Sequence, residues 1–293
     1  MRMKRVLTAT LAAVMVLGMT ACGGSDTKDA ADNTQGENTQ TEAPAETAQG
    51  TVVITGSTSV EKIVNEMKAE FEALNPGITI QYTGNGSSAG IKDTIAGTNN
   101  IGASSRELKD EEKAEGLTES RFAYDGIAVA VNPANEVQDI TLEQLQKIYC
   151  GEITNWSELG GKDAEIYVVS REESSGTRSA FEELIKLEET DGLTSNAAVS
   201  EGNGPVQLAV AGNENAIGYV SFAYIDDTVK QLTVEGVEGT VENVKAGAYG
   251  LSRPFLFVSL DENVGEAGQK FLEFALSEAG QDCVEAENGI RID

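Results

Sequence analysis

The chain has 293 residues, 48 of them acidic against 21 basic, a formal net charge of −27 and no histidine. So acidic a balance argues against nucleic acid as a partner, because phosphate backbones demand a basic face, and the missing imidazole removes the commonest general base. It does not exclude a small anion, since charges more than about 8 Å away are largely screened at physiological salt and a buried local site decides affinity.

Residues 1–21 read as a signal peptide: Arg2, Lys4 and Arg5 precede an apolar run from Val6 to Met19 that is too short to span a bilayer. The run leads into Met19-Thr20-Ala21-Cys22-Gly23, which resembles the bacterial lipobox, so Cys22 is expected to be lipidated and to become the mature N-terminus. Residues 22–50 are, apart from Cys22 and Lys28, Gly, Ser, Thr, Asp, Glu, Asn, Gln, Ala and Pro with almost nothing apolar, the composition of a flexible tether. The folded part starts near Thr51, and no later run is apolar for long enough to cross a membrane.

Thr51 to Thr55 predicts a buried strand, and Val60, Ile63, Val64, Met67, Phe71 and Leu74 then recur at helical spacing until Asn75-Pro76-Gly77 stops them. Ile78 to Thr83 is a second strand, followed by a glycine-serine turn and a short helix through Ile91 and Ile95. Ile101 to Ser105 closes a third. Such βα repeats imply a parallel sheet covered by helices, with ligands gathering at the strands' C-terminal edges. Further on, Ala123 to Asn132 predicts a strand, Thr141 to Tyr149 a helix, and Ile166 to Ser170 a strand followed by the helix of Phe181, Leu184 and Ile185. Trp156 anchors the intervening loop. Pro205 to Ala211 reads as helix, Ile217 to Val220 and Pro254 to Leu260 as strands, and Gly265 to Leu276 and Gln281 to Glu287 as closing helices. Cys150 and Cys283 can pair or remain two buried thiols, because spacing does not give their separation.

Three helix starts carry hydroxyls and glycine: Gly56-Ser57-Thr58-Ser59, Gly84-Asn85-Gly86-Ser87-Ser88-Ala89-Gly90 and Arg171-Glu172-Glu173-Ser174-Ser175-Gly176-Thr177-Arg178. Each offers unpaired N–H groups and the positive end of a helix dipole to an anion. Thr58 to Glu61 also spells a capping box, a local use of Thr58 that competes with ligand binding. Arg171 supplies forked donors suited to an oxyanion, or a salt bridge to Glu172 or Glu173. Gly86-Ser87-Ser88-Ala89-Gly90 has the spelling of a nucleophile elbow, yet a serine hydrolase acting through Ser88 lacks its histidine, and Lys92 lies a helical turn away. The G-x-G-x-x-G/A reading of residues 84–89 lacks the long helix and the ribose-binding acid of a dinucleotide site.

In order along the chain, Gly56-Ser57-Thr58-Ser59-Val60, Gly84 to Ile91, Ile101-Gly102-Ala103-Ser104-Ser105-Arg106-Glu107-Leu108, Asp125-Gly126-Ile127-Ala128-Val129, Ile153-Thr154-Asn155-Trp156 and Ser170 to Arg178 resemble the phosphate-binding lipoproteins of bacterial phosphate ABC transporters. The resemblance implies an α/β, two-lobed type II periplasmic-binding fold with a two-stranded hinge, lobe I being 51–126 plus 250–293 and lobe II 127–249. It implies capture of inorganic phosphate by lobe closure and delivery to membrane-embedded permease subunits, by a monomer held outside the cytoplasm through its N-terminal lipid, with no enzymatic activity, metal or cofactor. Thr58, Ser59, Ser87, Ser175, Gly176 and Thr177 would then donate to the anion and Arg171 would clamp it. Some relatives carry at the position of Ser105 an aspartate that accepts the proton of hydrogen phosphate. Here Ser105 can accept it, and Asp125 is expected to supply the missing acceptor or to orient Arg171. A site for sulfate or molybdate is the nearest alternative.

Overall fold

The computed structural model describes residues 49–292. The expected signal peptide, Cys22 and the tether up to residue 48 lie outside the described residues. The first half runs β1 (Gly50–Gly56), α1 (Glu61–Leu74), β2 (Ile78–Gly84), α2 (Ser87–Ile95), β3 (Ile101–Ser104), α3 (Asp110–Lys113), β4 (Thr118–Val131), β5 (Asp139–Ile140), α4 (Leu142–Cys150), β6 (Tyr167–Arg171) and α5 (Gly176–Leu184). It continues through β7 (Ala198–Ser200), α6 (Asn203–Ala211), β8 (Ala216–Ser221), β9 (Lys230–Gln231), β10 (Thr233–Val234), α7 (Val241–Lys245), β11 (Ser252–Ser259), α8 (Asp261–Leu276), α9 (Glu278–Ala286) and β12 (Ile290–Arg291).

Two large hydrophobic cores form, with a small satellite of Ile91, Leu108, Leu256 and Val258. One gathers β1 to β3, the start of β4, β11 and helices α1, α8 and α9; the other gathers the chain from Ile127 to Leu251. In the first, Ile63, Val64, Met67 and Phe71 put one face of α1 inside, where Phe71 meets Phe271 edge-on at 5.4 Å between ring centres. In the second, Phe181 stacks on Tyr219 at 4.0 Å, and the indole of Trp156 donates to the Asn215 carbonyl. Strands follow the order β2-β1-β3-β11-β4-β8-β6-β7, with β1 parallel to β2 and β3, and β6 parallel to β7 and β8.

One strand serves both cores. Residues 118–126 of β4 pair antiparallel with β11, whereas Ile127 to Val131 pair antiparallel with β8. The sequence pattern starts this strand at Ala123, because Thr118 to Arg121 carry no apolar alternation; their pairing with β11 makes them strand. The chain returns alongside, and the Ile127 N–H donates to the Leu251 carbonyl at 2.8 Å. These adjacent crossings are the two-stranded hinge. Helix α8 begins four residues before the expected Gly265, which interrupts it at φ 63°. Cys150 and Cys283 are both free thiols. Burial and the nearby Glu70 carboxylate push Cys283 up to about 11.

Candidate functional site

The C-terminal ends of β1, β3 and β6 and the starts of α1, α2, α5 and α6 meet between the two cores. Ser59, Ser87, Ser105, Arg171, Ser175, Thr177 and Asn203 are all buried there. The Ser59 and Thr177 hydroxyls are 2.9 Å apart although 118 residues separate them, and Ser87 Oγ lies 3.2 Å from Ser105 Oγ. A Cβ on Gly176 would stand 2.2 Å from Ser87 Oγ and 2.7 Å from Ser105 Oγ. No side chain fits at residue 176, so the backbone of α5 faces the hydroxyls of the opposite lobe directly. As the opening residues of helices, Gly176, Thr177, Ser87 and Ser88 have N–H groups without intrahelical acceptors; that of Ser88 donates instead to the Ser174 carbonyl across the seam at 3.0 Å.

Thr58 does not cap α1. Its N-cap is Val60, which makes no side-chain cap hydrogen bond, and Ser57 Oγ accepts the Ser59 N–H. Thr58 Oγ1 accepts from Arg171 Nη2 at 3.1 Å and from Asn203 Nδ2 at 3.0 Å. The charged and amide donors of the facing lobe outcompete the local helix amide. Ser175 does cap α5, accepting from the Arg178 N–H, and its hydroxyl proton remains available.

Arg171 makes the salt bridge to Glu172 that its neighbours in the sequence offer. Its Nε and Nη2 donate to the two Glu172 oxygens at 2.9 and 2.8 Å, and Nη1 is buried with no hydrogen-bond partner. Burial raises the Glu172 carboxyl, but the Arg171 guanidinium wins and holds it below the usual range. The Tyr219 hydroxyl, kept neutral by burial, accepts the Arg171 N–H and lies 2.8 Å from Ser170 Oγ, fixing the end of β6.

Asp125 does not orient Arg171. Its register partner across the hinge is Arg253, whose Nε and Nη2 both donate to Asp125 Oδ2 at 3.1 and 2.8 Å, while Ser221 Oγ donates to Oδ1 at 2.8 Å. Glu172, one residue along, already holds Arg171. Burial pushes the Asp125 carboxyl up against the pull of Arg253, and pushes the guanidinium down. Arg253 keeps its charge, because a guanidinium does not give up its proton in a protein.

Two site residues escaped the sequence reading. Arg253 is a charge in an otherwise apolar strand, which is an anomaly that invites a question. Asn203 opens α6 after Gly202, a fourth helix start, and donates to Ser59 Oγ at 3.0 Å. Ser88 points elsewhere: its hydroxyl accepts from Arg106 Nη2 at 3.0 Å, and a guanidinium cannot act as its base. Ser88 and Lys92 line an open cleft of about 670 Å³ beside the cradle. Among the described residues no His, Cys, Asp and Glu cluster could hold a metal ion.

Comparison with known proteins locates this architecture. Residues 41–279 match the family model of a PBP superfamily domain. The phosphate-binding protein PstS of Bacillus subtilis (strain 168) is 34% identical over 296 residues, spanning 98% of this chain and 93% of that protein. A Clostridium perfringens structure, described as a phosphate ABC transporter substrate-binding protein with bound phosphate, superposes with a TM-score of 0.81 at 50% identity, over 83% of this chain and all of that one. An ABC-type phosphate transport receptor from Vibrio cholerae gives a TM-score of 0.71 at 36% identity, over 82% of this chain and all of that one. Fold and site thus define a two-lobed α/β substrate-binding protein of type II within the PBP superfamily. Within that superfamily the chain belongs to the PstS family of phosphate-binding proteins. The names of these relatives describe binding and transport.

Proposed function

We propose that this protein captures inorganic phosphate outside the cytoplasm and hands it, unchanged, to the permease subunits of an ABC transporter. The observation that carries the reading is the buried Arg171 Nη1, left without a partner among hydroxyls and helix starts from both lobes. A buried donor of this kind costs stability unless an acceptor meets it, and a tetrahedral oxyanion meets several donors at once. Thr58, Ser59, Ser87, Ser105, Ser175, Gly176 and Thr177 surround the anion, Arg171 clamps it, and Asp125 contributes from the hinge. The lobes, 51–126 with 250–293 and 127–249, close about that hinge and exclude water, which strengthens each charged hydrogen bond. A micromolar site corresponds to about −8 kcal/mol. Charged hydrogen bonds worth roughly 1.5–3 kcal/mol each reach that total after desolvation and closure are offset. Lipidation at Cys22 would tether the monomer to the cell membrane near its permease. No covalent chemistry on the anion is part of this function.

Calorimetric titration of the purified protein with phosphate, and with sulfate in competition, tests the reading. Phosphate is expected to bind at micromolar concentration or below, and Arg171→Ala to weaken it at least 100-fold while the unliganded variant still unfolds in one cooperative transition. Near-normal affinity in Arg171→Ala would remove that residue from the site. Sulfate binding with none of phosphate would move the assignment to the other oxyanion.

A further inference from the structure

We propose that Arg253 is a second anion ligand, reaching the cradle from the hinge, and that Asp125 is the residue that positions it. This rests on the oxyanion reading above. Arg253 and Asp125 face each other across β11 and β4, one pair before the chain passes through Gly126 into the second lobe. Their side chains are each 1% exposed. Arg253 spends Nε and Nη2 on Asp125 and donates a further Nη2 hydrogen bond to Ser59 Oγ at 3.0 Å. That leaves Nη1, buried and without a partner.

Arg171 is built the same way. It spends Nε and Nη2 on its own carboxylate, shares Nη2 with Thr58 Oγ1, and also keeps a buried Nη1 free. The hydroxyls the two guanidinium groups touch belong to adjacent residues, and Ser59 Oγ is shared with Asn203 and Thr177 of the opposite lobe. The like charge of Arg171 acts on Arg253, adding to the effect of burial. Two cations brought together in a buried seam, each with one donor to spare, are reconciled by an anion between them. One guanidinium comes from each lobe, so the anion bridges the halves of the molecule. A purely structural ion pair would need neither the spare nitrogen nor the contact with Ser59.

The test is calorimetric titration with inorganic phosphate at pH 8 on the full chain and three variants. Arg253→Gln should weaken phosphate roughly 10- to 100-fold, the loss expected of one charged hydrogen bond. Asp125→Asn/Arg253→Gln should show the same loss while melting, without phosphate, within a few degrees of the parent, since no unpaired carboxylate stays buried. Arg253→Lys separates the roles. An ammonium still pairs with Asp125 and restores the melting temperature, but it has no second nitrogen for the anion and does not restore affinity. Phosphate affinity within threefold of the parent, in either the double variant or Arg253→Lys, overturns the proposal. Failure of the unmutated protein to bind phosphate or sulfate overturns the oxyanion reading itself, and with it this one.

Discussion

Ser105 is where this cradle departs from a carboxylate-lined one. Its hydroxyl sits 3.2 Å from that of Ser87, beside the helix start of α5. A hydroxyl can donate or accept, so it meets a protonated or an unprotonated anion oxygen equally. A carboxylate there would accept the proton of hydrogen phosphate and repel sulfate, which has none to offer. Ser105→Asp is therefore expected to cut sulfate affinity at least tenfold relative to phosphate, measured by competition between the two anions; an equal effect on both would mean that residue 105 does not face the ligand. Glu172 makes a prediction about acid. Its folded carboxyl lies below the unfolded value near 4.3, so the stability it lends through Arg171 is complete above that value and is lost as pH falls through the folded one. Urea unfolding between pH 5 and 3 should steepen there, and Glu172→Gln should flatten the curve. Arg171 and the serines were legible because each precedes a recognisable helix start. Arg253 was not, since its meaning depends on a strand partner 128 residues away.

At the scale of elements, closure is held at places the anion does not touch. Lys62, on the first turn of α1, donates to the Ala223 carbonyl at 2.7 Å and sits 4.4 Å over the Tyr224 ring, while the Tyr224 hydroxyl donates to the Thr58 carbonyl at 2.9 Å. Burial keeps that phenol neutral, with its pKa pushed up to about 12. A cation–π contact and two hydrogen bonds across one seam contribute roughly 1–2 kcal/mol to the closed state. Lys62→Ala/Tyr224→Phe should weaken phosphate about 5- to 30-fold by faster release, read by stopped-flow displacement; an unchanged release rate would place the contacts outside the closing motion. On the other flank Gly86 has φ 96° and lies so near Ser174 that a Cβ would meet its carbonyl at 2.8 Å. Gly86→Ala should hold the lobes apart. The long elements were readable because α1, α5 and β1 to β3 have apolar periods long enough to count. Strands of two or three residues, such as β5, β7, β9 and β12, have no period at all and exist through their partners.

For the whole molecule, ligand and stability are linked. Phosphate at a hundred times its dissociation constant stabilises the folded state by about 2.7 kcal/mol, which for a domain of this size raises the melting midpoint by roughly 5–10 °C. Scanning calorimetry with phosphate, against chloride at equal ionic strength, checks this, and Arg171→Ala should abolish the shift. Two lobes could be suspected from the order of the motifs, but which helix starts meet could not, because Ser59 finds Thr177 and Arg253 only after 118 and 194 residues of chain. The single tryptophan carries a practical consequence. Trp156 is 2% exposed, belongs to the core of the second lobe and donates its indole N–H to the Asn215 carbonyl, not to a cradle residue. Its emission should report the integrity of that lobe and stay indifferent to phosphate. An optical sensor made from this chain would need a dye placed at the seam, and it would have the native indole as a built-in reference channel.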